Sequence, residues 1–271
     1  MKKLACVFIS LIFAVEGQSG TMIWAENFND NSYSDQLNIE KATITNPGCN
    51  TSSSYIFKTV TNQKREGSRG ALVTLDRCNN RAEFVEKSVN QPSVGENRWY
   101  GFSIKLANNF DDQAINESGE EVTIVMQLAQ WYSGLPSWAK GSWHTLKVKD
   151  GRWRFKMKYS SGGNAGASGV REVEWDLGPA VKNQWTDFVI NGKWVRSNSG
   201  QLRIWVRQPG NNDYIQKVAR YGWVMLNVPK APYFKIGLYR GVPWTGANYK
   251  DRVFIDAIKV AKNASIAEVS P

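Results

Sequence analysis

Tyr233, Lys235 and Tyr239 stand at alternate positions of the stretch Tyr233 to Arg240, with Gly237 among them and Phe234, Ile236 and Leu238 in the gaps. In a β-strand, whose side chains alternate across the sheet, this spacing sets two phenols and an ammonium on one face and three apolar groups on the other. A phenol can give or take a proton, an ammonium can hold an anion, and a glycine leaves room for a ligand to approach the backbone. The same spacing also suits a half-buried strand with aromatic cross-strand pairs. Arg81 and Glu83 share a face in Arg81-Ala82-Glu83-Phe84. Their carboxylate and guanidinium are either a surface ion pair or a held guanidinium ready for bidentate contact with a substrate anion. Gln130-Trp131-Tyr132 sets an amide and a phenol opposite an indole. Gln127 falls on the other parity, so one of the two amides points inward unless a bulge intervenes, and a buried amide needs partners.

Other groups invite simpler readings. His144, the only histidine, shares parity with Leu146 and Val148, which favours a core or edge position, and a lone histidine excludes a histidine-cluster metal site. Glu172, Glu174 and Asp176 alternate on one strand face, a pattern similar to the acidic triad of laminarinase-like glycoside hydrolases, although there the aspartate is central. Asn29, Asp30 and Asn31 offer oxygens either to calcium or to an ordinary turn; no cofactor is otherwise expected and no metal residue is assigned.

The elements that must carry these groups are short strands. The chain has 271 residues with 12 Trp, 10 Tyr, 11 Phe and 23 Gly, and it lacks heptads, fixed-period repeats and Pro/Ser-rich linkers. That composition predicts an all-β fold, a β-sandwich or jelly roll of two antiparallel sheets. Asp150-Gly151 between Ser142 to Lys149 and Arg152 to Tyr159 is the strongest hairpin signal. Gln184 to Ile190, Gln201 to Val206 and Arg252 to Val260 read as further strands, the last expected to pair with the opening strand Trp24 to Phe28. Asn46 to Gln63 reads as loop with one aromatic run, and Ser160 to Gly169 as a loop long enough to cover a groove.

Met1-Lys2-Lys3 followed by Leu4 to Val15 has the charged start and short apolar region of a secretory signal, too short to span a bilayer. The expected organisation is a signal over residues 1–20 and one domain over 21–271, in a secreted or periplasmic monomer without a membrane span. Cys49 and Cys78, an even pair after Cys6 leaves with the signal, are expected to form a disulfide there. The net charge of +10 attracts polyanions, and export makes nucleic acid a poor partner.

Arg81-Ala82-Glu83-Phe84, Gln130-Trp131-Tyr132 and Tyr233 to Tyr239 occur in the order and at roughly the separations of the signature strands of jelly-roll polysaccharide lyases. With Trp185, Lys193-Trp194 and the Gly200 to Trp205 segment, the chain most resembles the heparin lyase I and glucuronan lyase group; the three motifs are also similar to those of alginate lyases. The resemblance implies a concave sheet and β-elimination on an acidic, uronic-acid-containing polysaccharide: loss of the C5 proton, then of the O4 substituent. Arg81 and Gln130 would neutralise the uronate carboxylate and Tyr239 would move protons. Glu83, Tyr233, Lys235, Arg240, Lys147 and Arg203 would bind the chain. Where the family usually reads Gln-Trp-His or Gln-Ile-His, this sequence has Tyr132, so Tyr239 alone, Tyr132 or His144 must supply the base, or the protein binds without cutting. The readings that compete with elimination are hydrolysis by Glu172, Glu174 and Asp176 and a non-catalytic carbohydrate-binding jelly roll.

Overall fold

The structure, a computed structural model, describes residues 19–30, 32–43, 56–76, 79–111, 123–130, 135–139, 141–162, 167–239 and 250–271. Residues 1–18 of the expected signal, Cys49, Cys78, Tyr132 and Arg240 lie outside these residues. The strands in chain order are β1 (Thr21–Glu26), β2 (Leu37–Thr43), β3 (Ile56–Val60), β4 (Gly70–Asp76) and β5 (Asn79–Glu86). They continue with β6 (Asn97–Leu106), β7 (Ile124–Gln130), β8 (Gly141–Lys149), β9 (Arg152–Ser160) and β10 (Val170–Pro179). The last five are β11 (Trp185–Lys193), β12 (Gly200–Arg207), β13 (Ile215–Gly222), β14 (Tyr233–Tyr239) and β15 (Lys250–Lys262), followed by one short helix, α1 (Ile266–Val269).

The strands form two antiparallel sheets. One runs β13-β12-β11-β6-β15-β4-β3 with β1 paired to β15, and the other β10-β9-β8-β7-β14-β5-β2. The opening and closing strands do pair, with Trp24 opposite Val260. The predicted hairpin forms around Asp150 and Gly151, both at positive φ as a tight two-residue turn requires. Four strands escape the sequence reading: β2, β4, β13, and β3, which lies inside the stretch read as loop.

The sheets pack face to face through their alternating apolar positions. Phe234 of β14 stacks on Tyr100 of β6 with centroids 5.6 Å apart, and Trp153 of β9 meets Phe188 of β11 edge-on at 5.1 Å. Phe234, Ile236 and Leu238 all belong to this core. The remaining parity of β14, which carries Tyr233, Lys235, Gly237 and Tyr239, therefore points out of the sandwich on the side of the seven-stranded sheet. Because antiparallel neighbours keep register, the alternate positions of β5, β7, β8, β9 and β10 share that side.

Candidate active site

The register builds the site from rows of residues that cross the strands. One row runs Arg81, Tyr239, Ile124, Lys147, Arg154, Asp176 over β5, β14, β7, β8, β9 and β10. A second runs Val85, Lys235, Gln127, Thr145, Lys156, Glu174 over the same strands. Between them Glu40 of β2 faces Glu83 of β5, which faces Gly237 of β14.

Charge is concentrated where β2, β5 and β14 meet. The Arg81 guanidinium carbon lies 4.7 Å from the centroid of the Tyr239 ring, and Arg81 Nε is 3.2 Å from Glu83 Oε2. Glu40 accepts from both cations, Oε1 from Arg81 Nη1 and Oε2 from Lys235 Nζ. Gln127 Nε2 donates to Glu83 Oε1 at 2.5 Å. Lys235 also lies over the Tyr233 ring, 5.5 Å from its centroid. Burial pushes the Glu83 carboxyl up to about 6, although the charges of Lys235 and Arg81 and the Gln127 hydrogen bond pull the other way. Burial also acts on Glu40, but its bonds and attraction to Lys235 and Arg81 outweigh it and hold this carboxyl below the usual range.

The structure thus groups Arg81, Glu83, Tyr233, Lys235 and Tyr239 from two strands about 150 residues apart in sequence. It also brings in Gln127, which the sequence reading weighed without assigning to the site, and Glu40, which it passed over. Gln127 is fully buried and supplies the amide in the cluster, opposite Lys235. Gln130 ends β7 opposite Gly141, and its side chain lies outside the described residues. Glu40 sits on β2, whose Leu37 and Ile39 alternate with Asn38 and Glu40; that alternation was the available signal.

Two expected site residues are elsewhere. His144 faces the interior, as its parity with Leu146 and Val148 suggested, so it takes no part at the sheet surface. Its Nε2 is 2.7 Å from the Val224 carbonyl and its ring packs 5.1 Å from Trp194. Burial lowers its pKa to about 4, which leaves a neutral imidazole donating Nε2–H to that carbonyl. Arg203 belongs to β12 of the other sheet, where its outward parity carries it to the opposite side of the sandwich. There it lies over Trp99 and Trp205 and donates to Asn191 Oδ1, from Nη2 at 2.9 Å.

Lys147 does share the site's face and pairs with Glu174 at 2.8 Å. Farther along, Glu172 pairs with Lys156 at 3.3 Å, and Asp176 with Arg152 at 2.5 Å and Arg154 at 3.3 Å. The alternating carboxylates are thus the outer half of a cross-strand ion-pair ladder. The Arg152 hydrogen bond holds the Asp176 carboxyl below its usual range, opposite to what a general acid requires. Gly237 also differs from its reading as an opening for ligand. At φ +152°, a Cβ there would meet Ala82 O at 2.2 Å and Glu83 Cα at 2.7 Å, so the glycine permits the close approach of β5. In the early turn, Asn29 Oδ1 accepts from Ser68 N at 2.6 Å and Asp30 Oδ1 from Ser32 N at 3.2 Å, while Asn31 lies outside the described residues. Among the described residues no helix is long and apolar enough to cross a membrane, which says nothing of a β-barrel.

Several solved structures share this fold. The endo-β-1,4-glucuronan lyase of the fungus Trichoderma reesei superposes with a TM-score of 0.66 at 16% identity, covering 92% of this chain and 98% of that one. The marine alginate lyase of Aplysia kurodai gives 0.56 at 13% identity, with 89% and 98% covered. The catalytic domain of a glycoside hydrolase family 131 protein from Coprinopsis cinerea gives 0.53 at 18% identity, with 89% and 94% covered. At such identities the likeness shows the fold alone, and the fold carries both elimination and hydrolysis. No curated protein matches the chain. The sequence model of one family does, described as polysaccharide lyase and matching residues 26–259. That match runs from the end of β1 into β15 and takes in every residue of the Arg81–Glu83–Gln127–Lys235–Tyr239 cluster: the chain belongs to the polysaccharide lyase family.

Proposed function

We propose that this polysaccharide lyase is an exported enzyme that cleaves an acidic, uronic-acid-containing polysaccharide by β-elimination at the Arg81–Tyr239 cluster. The observation that carries the reading is the contact between a phenol and a guanidinium, 4.7 Å from ring centroid to guanidinium carbon, on a face where Lys147, Arg152, Arg154, Lys156 and Lys158 outnumber the carboxylates Glu172, Glu174 and Asp176 that pair with them. Elimination from a uronate needs a group to take the C5 proton, positive charge beside the carboxylate as negative charge develops there, and a proton for the departing O4. Arg81 supplies the positive charge, steadied by Glu83. Tyr239 is a proton carrier of this cluster that keeps partial access to solvent, and the other partly exposed one, Glu40, is engaged with both cations. With His144 in the core, we assign both proton transfers to Tyr239: its phenolate takes the C5 proton, and the resulting phenol returns a proton to O4.

Lys147, Arg154, Lys156 and Lys158 extend the charged face toward β9 and, although paired with Glu172, Glu174 and Asp176, leave it with an excess of positive charge, which supports a long polyanion lying across the strands. The net charge of +10 and the signal-like Met1 to Val15 support an anionic polymer met outside the cytoplasm. The test is to incubate the protein with glucuronan, alginate, heparin and a neutral β-glucan. Cleavage of a uronate polymer with new ultraviolet absorbance from the unsaturated end is the expected outcome. Reducing ends without absorbance mean hydrolysis, and retention without either means binding alone; both overturn the assignment.

A further inference from the structure

Among the described residues, the charges at the centre of the cluster balance: Arg81 and Lys235 against Glu40 and Glu83. A uronate carboxylate approaching this group meets no net attraction. Forcing a third carboxylate among poorly solvated partners is costly unless a resident one leaves. Glu83 is held in place. Its side chain keeps 1% of its surface exposed, with Arg81 Nε at 3.2 Å on one oxygen and Gln127 Nε2 at 2.5 Å on the other. Glu40 is different: it comes from β2, the outermost strand of the sheet, and is 35% exposed, against 13% for Arg81 and 1% for Lys235. It also binds as a substrate carboxylate would, one oxygen to each cation.

We propose that Glu40 is a resident stand-in for the substrate carboxylate, filling the Arg81–Lys235 clamp in the free enzyme and yielding it when a uronate residue arrives. The inference rests on the uronate reading given above. It makes Glu40 a specificity residue: an acidic sugar can replace the carboxylate it displaces, whereas a neutral sugar offers Arg81 and Lys235 nothing in exchange. The cost of displacement appears as a weaker apparent affinity, because only the fraction of molecules with an open clamp is competent to bind.

The experiment compares wild type with Glu40→Gln, which keeps the shape and removes the charge. KM is measured on the uronate polymer that wild type cleaves, together with the inhibition constant of free glucuronate, at fixed ionic strength. If the clamp is open in about a tenth to a third of molecules, both constants fall about three- to tenfold and kcat/KM rises. An unchanged or higher KM with a lower kcat overturns the inference and makes Glu40 a positioning group for the two cations. Thermal melting checks that the variant folds. Should it not, Glu40→Asp retains the charge but is one methylene too short to grip both cations, and a fall in both constants is again expected, with no fall the overturning result. A wild type that cleaves uronate polymers while the variants keep their KM sinks this inference alone. A wild type that neither cleaves nor retains any uronate polymer sinks the substrate reading and this inference together.

Discussion

Tyr239 has a described guanidinium against its ring, and its hydroxyl is the group on which the proposed chemistry turns. Replacing it by Phe removes one oxygen and keeps the ring that packs against Arg81. Turnover, followed by absorbance, should fall about 10²–10⁴-fold, while polymer binding measured by calorimetry stays within a few-fold. Equal activity in Tyr239→Phe would remove the phenol from the mechanism. Glu83 sets a pH signature. Its carboxyl, raised to about 6 by burial, loses its charge as pH falls through that value, and with it the ion pair that orients Arg81. The profile of kcat/KM should therefore show an acid limb near pH 6, and Glu83→Gln should abolish that limb and lower activity about 10–100-fold at neutral pH. The sign separates this from unfolding. A raised carboxyl favours the folded state below its unfolded value of about 4.5, a contribution lost as pH rises through about 6, so stability from this group falls where activity climbs. Thermal melts across the same range distinguish the two.

At the scale of elements, the site depends on how closely β5 and β14 approach. Gly237 faces Glu83 across that junction, and any side chain there would strike the backbone of Ala82. Gly237→Ala should destabilise the protein by about 3 kcal/mol in denaturant titration, from the strained φ together with the steric overlap. It should also reduce activity beyond the loss of folded protein, since Arg81 and Tyr239 are directly opposed in the next row along. An alanine variant as stable as wild type would mean that β5 can move away at no cost. The ladder of β8, β9 and β10 illustrates the other side of strand pairing. Alternating carboxylates on one strand resemble a catalytic set until the neighbouring strands are in place; here every second residue of β9 is a cation that meets them.

For the molecule as a whole, the two sheets present unlike outer faces. One carries the charged cluster and its cationic extension. On the other, Trp99 and Trp205 stack 5.6 Å apart beneath Arg203 and pack with Ala264, Ile266 and Val269 of the C-terminal segment. Cation and aromatic in alternation on β12 look like a sugar platform in one dimension, but Trp99 and Trp205 are 5% and 7% exposed. If the polyanion proposed above binds the first face of a protein with a net charge of +10, the attraction is long-ranged and open to screening. As the Debye length shrinks from about 10 Å at 0.1 M salt to about 3 Å at 1 M, KM for a uronate polymer should rise several-fold. A KM indifferent to salt would place recognition in short-range contacts alone. The sequence by itself determined the alternation of Tyr233, Lys235 and Tyr239 against an apolar face, the Asp150-Gly151 hairpin, the inward parity of His144 and the all-β class. These follow from the two-residue period of an extended chain and from local turn chemistry, which any short window contains. Only the tertiary structure decided that Gln127 supplies the buried amide, that Arg203 lies on the far side, and that Glu40 bridges Arg81 and Lys235, partners 41 and 195 residues away. Which strands become neighbours is settled by burying both sheets against each other, and no stretch of a few residues holds that information.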